Sequence, residues 1–152
     1  MSKQVIIYTD GGCRYNPGPA AIGVVIQDAS GIVLAAISDY IGQGTNNQAE
    51  YQAVIAGLER AQALGASNVE IRTDSQLISE QMNGRYKVKD AALKPLFQKA
   101  QALSRRFQNF KIVHIPREKN READRLVGMA LSSRGAGKPE SASVVRQATF
   151  DL

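Results

Sequence analysis

Val5-Ile6-Ile7-Tyr8-Thr9-Asp10-Gly11-Gly12 begins as a short apolar, β-branched run and closes on an acid and two glycines. A run of this kind reads as a strand buried on both faces, Val5–Thr9, ended by Asp10 and broken at Gly11-Gly12. Val69-Glu70-Ile71-Arg72-Thr73-Asp74-Ser75 repeats the ending, a strand over Val69–Thr73 followed by a second Thr-Asp pair. Between the two, Asn16-Pro17-Gly18-Pro19 turns the chain. Ala21–Gln27 and Ile32–Tyr40 form a hairpin around Asp28-Ala29-Ser30-Gly31. From Asn47 to Leu64, Tyr51, Val54, Leu58 and Ala61 fall at helical spacing, with Gly65 as C-cap.

Beyond Asp74 the spacing predicts a short helix from Ser75 to Met82, stopped near Asn83-Gly84. A longer helix follows from Ala91 to Phe107, with Pro95 in its first turn. Lys111–Ile115 is a fifth strand and Arg121 to Leu131 a last helix. The order βββαβααβα describes an α/β fold: a five-stranded mixed sheet, three strands in antiparallel meander plus parallel strands, with helices packed on it. Right-handed crossovers then set the first and fourth strands close and parallel, so the two Thr-Asp pairs share one sheet edge. Residues 1–131 form the expected domain. Ser132–Leu152, rich in Ser, Gly and Ala, reads as a C-terminal tail, mobile or docked through Val144, Val145 and Phe150.

Composition narrows the classes of function. The chain has 152 residues, 43% of them hydrophobic, which suits one globular domain and excludes disorder throughout. No apolar run approaches the ~18 residues of a membrane span. Met1-Ser-Lys-Gln4 enters a strand at once, so no signal peptide is expected. One cysteine, Cys13, suits a reducing cytoplasm, and one histidine leaves no zinc cluster. Nineteen Lys and Arg against 14 Asp and Glu give a net charge of +5. That balance favours a polyanionic partner through phosphate contacts.

Four acids stand where a fold alone gains little from them. Asp10 and Asp74 end neighbouring strands. Glu50 precedes Val54 by one turn and so lies on the core face of its helix, and Asp124 stands likewise before Val127 and Leu131. Singly, each suits a plainer role: a turn residue at Asp10, a helix cap at Asp74, a favourable first-turn charge at Glu50 or Asp124. Converging carboxylates repel one another unless a cation fills the site. Mg²⁺ takes oxygen ligands and commonly binds through carboxylates and substrate phosphates. Two such ions about 3.5–4 Å apart suit in-line phosphoryl displacement. Gly11-Gly12 and Gly18 lack the spacing of a P-loop or dinucleotide fingerprint.

The motifs resemble type 1 ribonuclease H, in a compact form like those of archaea and some bacteria. Thr9-Asp10-Gly11-Gly12 with Asn16-Pro17-Gly18-Pro19 looks like the family's opening block and Thr45-Asn46-Asn47-Gln48-Ala49-Glu50-Tyr51 its second. Thr73-Asp74-Ser75-Gln76 is similar to the third block, and Asn120-Arg121-Glu122-Ala123-Asp124-Arg125-Leu126 to the fourth. The resemblance implies that Asp10, Glu50, Asp74 and Asp124 are the catalytic metal ligands, for two Mg²⁺ ions with Mn²⁺ as substitute. It implies substrate contacts at Gly11, Gly12, Asn16, Asn46, Asn47 and Gln76, and a DNA-strand phosphate seat at Thr45.

The implied function is an endonuclease that cuts the RNA strand of RNA–DNA hybrids, leaving 3′-hydroxyl and 5′-phosphate ends. The expected enzyme is a cytoplasmic monomer with no membrane contact. Other readings are a nuclease of the same fold acting on double-stranded or structured RNA or DNA junctions, and a non-catalytic hybrid-binding module. Two departures stand out. The loop Ile115-Pro116-Arg117-Glu118-Lys119-Asn120 lacks the His that many relatives carry, leaving Glu118 as candidate substitute. His114 reads as a structural strand residue. The basic, Trp-bearing handle of some relatives is also missing. Arg85, Tyr86 and Lys87 form the candidate reduced version, or simply a solvated basic loop.

Overall fold

The computed structural model describes residues 3–134 and 144–145. The opening run becomes the centre of β1 (Gln4–Cys13), which pairs antiparallel with β2 (Gly18–Asp28). On its other side β1 runs parallel to β4 (Asn68–Thr73), from Gln4 opposite Asn68 to Thr9 opposite Thr73. β3 (Val33–Gly44) continues the meander outside β2, and β5 (Asn109–His114) lies parallel to β4 at the far edge. The five expected strands are therefore present with the expected directions. A two-residue β6 (Val144–Val145) pairs antiparallel with Ile37 and Ser38, giving the order β5-β4-β1-β2-β3-β6. Phe150 lies outside the described residues.

Helices cover both faces. α1 (Asn46–Ala63), α2 (Gln76–Met82) and α3 (Lys94–Ser104) enclose the main core, with Ile7, Val24, Ile26, Tyr51, Leu58, Ile71 and Ile78 fully buried. Burying an aliphatic side chain of this size contributes about 1.5–3 kcal/mol, so this layer dominates stability. α4 (Arg121–Arg134) lies on the opposite face through smaller contacts, Val127 and Ala130 on Ala21, and Leu126 on Val25 and Ala36. Its seat is close: a Cβ on Gly23 of β2 would fall 2.1 Å from the Ala123 carbonyl oxygen.

Several boundaries differ from expectation: α4 runs on to Arg134, three residues into the stretch expected as tail, and three other differences bear on the site. β1 does not break at Gly11-Gly12, because its ladder with β2 continues to Cys13 opposite Ala20. A Cβ on Gly11 would lie 2.2 Å from the Ala49 carbonyl carbon, so this glycine serves helix approach rather than chain reversal. Reversal falls instead on residues 14–17, with Tyr15 left-handed at φ 62°. α3 is shorter than Ala91–Phe107. Asp90 accepts from the Ala92, Leu93 and Lys94 N–H groups and holds residues 90–93 as a turn before Pro95. At its far end the chain leaves the helix so that Phe107 folds into the core. A single 3₁₀ turn, Arg117–Lys119, precedes α4 where a plain loop was expected.

Candidate active site

The parallel ladder between β1 and β4 ends at Thr9 and Thr73, and each chain places its acid immediately afterwards. β1 runs on beside β2, so Asp10 stays within a strand and only 6% exposed, while Asp74 leaves β4 towards α2. Glu50 arrives from α1, whose start is fixed by a capping box: Thr45 Oγ1 accepts from Gln48 N–H, and Gln48 Oε1 accepts from Thr45 N–H. The Gly11 contact with Ala49 and Glu50 then presses that turn against β1. One carboxylate oxygen from each of Asp10, Glu50 and Asp74 lies within 4.8 Å of the others.

Asp124 is placed differently. It projects from the first turn of α4 with its side chain 51% exposed, 3.9 Å from the Arg117 guanidinium. It lies close enough to raise the Asp10 carboxyl, but it is outside the tight group of three. The four acids, Arg117 and Asn46 line one cavity of about 480 Å³.

This cluster is electrostatically strained. Burial, then Asp74, then the hydrogen bond and charge of Asp124 push the Asp10 carboxyl up to about 8, partly offset by Arg117. Glu50 is raised well above the usual carboxylate range by burial, then by Asp10 and Asp74, against a Gly11 N–H and the Arg117 charge. Its Oε1 is buried without a hydrogen-bond partner. Among the described residues no ion pair reaches Asp10, Glu50 or Asp74. An orphaned carboxylate oxygen among converging carboxylates fits a hard divalent cation, whose preferred donors are oxygens. Asp10, Glu50 and Asp74 could hold it, with Asp124 at the rim.

The amides are arranged as a fixed frame. Asn46 Oδ1 accepts from Cys13 N–H at 3.1 Å, and Asn16 Oδ1 accepts from Asn46 N–H at 3.1 Å. Both carbonyl oxygens are engaged within the protein, which turns the donating NH₂ groups of Asn16 and Asn46 outward. The cap of α1 is Thr45, so Asn46 and Asn47 are not taken up by capping. Likewise Ser75, not Asp74, caps α2, accepting from Ile78 N–H. Gly12 and Asn46 line the cavity, Gln76 is the exposed first residue of α2, and Asn47 lies on an adjoining cleft.

That adjoining cleft, between α2 and α3, carries Arg85, Tyr86 and Lys87. Arg85 is already bound to Glu80 at 2.6 Å, which leaves Lys87 and the half-exposed Tyr86 as the loop's outward groups. Glu118 faces a third cleft with Tyr8 and Gln27 rather than the acids. The residue of that loop beside the acids is Arg117, which nothing in the sequence singled out. His114 closes β5 and is exposed. Asn120 was also missed. It is 1% exposed and donates to both the Thr9 carbonyl and Asp74.

A family model described as reverse transcriptase-like matches residues 8–130. The chain is 45% identical over 131 residues to the bifunctional protein Rv2228c of Mycobacterium tuberculosis, which covers 86% of this chain and 36% of that protein. It therefore spans about a third of the length of the mycobacterial relatives it matches. It is 43% identical over 128 residues to ribonuclease HI of Halobacterium salinarum, covering 84% of this chain and 64% of that protein. The crystal structure of RNase H1 from that archaeon superposes with a TM-score of 0.84 at 42% identity, covering 86% of this chain and 98% of that one. LC11-RNase H1 in complex with an RNA/DNA hybrid matches with a TM-score of 0.82 at 50% identity, over 86% of this chain and 98% of that chain.

Proposed function

This chain belongs to the ribonuclease H family, and from that premise we propose that it hydrolyses the RNA strand of RNA–DNA hybrids using two divalent cations. The observation that carries the reading is the convergence of Asp10, Glu50 and Asp74 around an orphaned buried oxygen in an open cavity. Asp10, Glu50, Asp74 and Asp124 are the ligands in this reading, with Mg²⁺ the expected ion and Mn²⁺ its substitute. Hard divalent cations, when bound, supply positive charge against the scissile phosphate and make water a stronger nucleophile at neutral pH.

The chain's own groups do the remainder. Arg117 sits at the rim, where a guanidinium pairs with phosphate oxygens. The outward NH₂ groups of Asn16 and Asn46, with Asn47 and Gln76, donate to sugar and base-edge acceptors of the bound duplex. Gly11 and Gly12 line the cavity that receives the substrate backbone, and Thr45 seats a phosphate of the DNA strand. Lys87 and Tyr86 flank the duplex beyond α2. Water attacks in line, and the products carry 3′-hydroxyl and 5′-phosphate ends. The enzyme works in the cytoplasm as a monomer.

Labelled hybrid, double-stranded RNA and double-stranded DNA, assayed at one salt concentration with and without Mg²⁺, test this reading. The expected order is hybrid first, double-stranded RNA slow, and DNA uncut, with all cleavage lost on chelation. Efficient cutting of plain DNA, or cleavage indifferent to chelation, would overturn it. Tight hybrid binding with no cleavage under any metal would return the chain to the non-catalytic alternative.

A further inference from the structure

Asn120 immediately precedes α4, where an asparagine ordinarily turns its side-chain oxygen onto a free N–H of the helix's first turn. Here the side chain does the opposite. Its Nδ2 donates to the Thr9 carbonyl at 2.9 Å and to Asp74 Oδ2 at 3.3 Å. Its Oδ1 is buried and has no partner. Both neighbours of the NH₂ group are acceptors, so flipping the amide would set oxygen against two oxygens. The orientation is thus fixed by Asp74 and by the residue before Asp10. Meanwhile the Asn120 main-chain carbonyl accepts from Asp124 N–H at 3.1 Å, closing the helical turn that carries the fourth acid.

An unsatisfied buried acceptor is destabilising. A residue serving the fold alone would be better used as a cap, with Oδ1 bonded. We propose that Asn120 is a positioning residue for the metal site. Its amide locks the Asp74 carboxylate to the end of β1, and its carbonyl locates Asp124 against the same point. One residue, 111 positions from Thr9 and 46 from Asp74, thereby sets the mutual spacing of three of the four acids. Partners that orient metal ligands typically change metal affinity or activity by about 10–100-fold when removed.

This inference rests on the metal-dependent reading above, and the test separates the two. Mn²⁺ binding is measured by titration calorimetry, alongside kcat and KM on a hybrid and melting of the metal-free protein. The proteins are wild type, Asn120→Ala, Asn120→Ser and, as control, Asn83→Ala. Asn83 donates to the Ile112 carbonyl at 3.1 Å, a comparable amide-to-backbone bond remote from the acids. Expected are a Kd for Mn²⁺ raised about tenfold or more in Asn120→Ala, a lowered kcat, and a KM for the hybrid little changed. Asn120→Ser, which keeps a small donor, should recover part of the affinity, and Asn83→Ala should melt earlier yet bind Mn²⁺ as wild type does. If the alanine variant fails to fold, the serine variant carries the same comparison. Wild-type Mn²⁺ affinity in folded Asn120 variants overturns the positioning role while leaving the metal reading intact. No Mn²⁺ binding by wild type overturns both.

Discussion

Asp10 on β1 and Asp39 on β3 are both strand acids withdrawn from water, yet they sit in different company. Asp39 lies opposite Ile22, with Oδ1 buried and unpartnered, and burial pushes its carboxyl up to about 6 against the pull of the Arg60 charge. Asp10 is pushed up to about 8, because burial is joined there by Asp74 and Asp124. Among the described residues, Asp39 has one nearby cation and no second acid. Asp10 has two acids within its cavity and Glu50 pressed against it by the Gly11 contact. Partial burial thus gives Asp39 a displaced carboxyl that still ionises below neutrality. Deeper burial, reinforced by the crowding of like charges, carries Asp10 past it. The crowding of oxygen donors, absent around Asp39 among the described residues, is what suits a cation.

The sharpest way to break that contrast is to remove one charge from the crowd. Asp10→Asn should abolish Mg²⁺-dependent cleavage of a hybrid and stabilise the metal-free protein. A carboxyl raised in the folded state contributes stability fully below its unfolded value near 4, and that contribution is lost as pH rises through about 8. Wild-type metal-free protein should thus lose melting temperature between about pH 4 and 8, and the variant should show a flatter profile in a thermal scan. Added Mg²⁺ should restore wild type and leave the variant unmoved. Turnover near wild type in Asp10→Asn would remove the site from this pocket.

A geometric change probes the same crowd without touching charge. Gly11→Ala would place a methyl 2.2 Å from the Ala49 carbonyl carbon and 2.5 Å from Glu50 N. The strand and helix must separate, at a cost of about 1–3 kcal/mol for overpacking, and Glu50 moves away from Asp10 and Asp74. Chemical denaturation and single-turnover cleavage should both register it, with the loss of rate exceeding what the fraction unfolded explains. Unchanged rates would mean that Glu50's placement does not depend on this contact.

The smallest effect belongs to the lone acid. Asp39→Asn should leave cleavage and metal affinity as they are and alter only pH-dependent stability. Its raised carboxyl favours the fold below about 4, and the advantage fades as pH rises through about 6. The variant should therefore melt with a flatter profile between those limits. A drop in metal affinity would show that the two acids are not independent.

Much of this architecture is legible in the amino-acid order. Apolar runs such as Val5–Thr9 and Val69–Thr73 locate strands, and the paired Thr-Asp endings place two acids at one edge. Neither strand is buried on both faces: Val5, Ile7, Thr9, Val69, Ile71 and Thr73 are buried, while Ile6, Tyr8, Glu70 and Arg72 are partly exposed. What escaped depends on contacts between distant segments. Gly11-Gly12 looks like a break until Ala49 is known to lie against it, and Asn120 looks like a helix cap until Thr9 and Asp74 fall beside its amide. Arg117 gives no sign in the sequence because the acids it faces arrive from four other elements. Glu118, one position later, points to a different cleft, since the turn Arg117–Lys119 is a tight 3₁₀ helix rather than an extended loop.

The parallel pairing of β1 with β4 joins residues that the chain separates widely, and α4 reaches the same edge only from the chain's last described helix. Contacts of such long sequence separation form slowly, because loop closure precedes any reward. The mutual repulsion of Asp10, Glu50 and Asp74 is accordingly absent from the early, local stages of folding and is felt once the topology has closed. Interactions that form after the barrier act mainly on the unfolding rate. Without metal, the pocket works as a spring that speeds escape from the native state while leaving the approach to it unhindered. A bound cation then acts as a latch, lengthening the lifetime of the fold more than it quickens its formation.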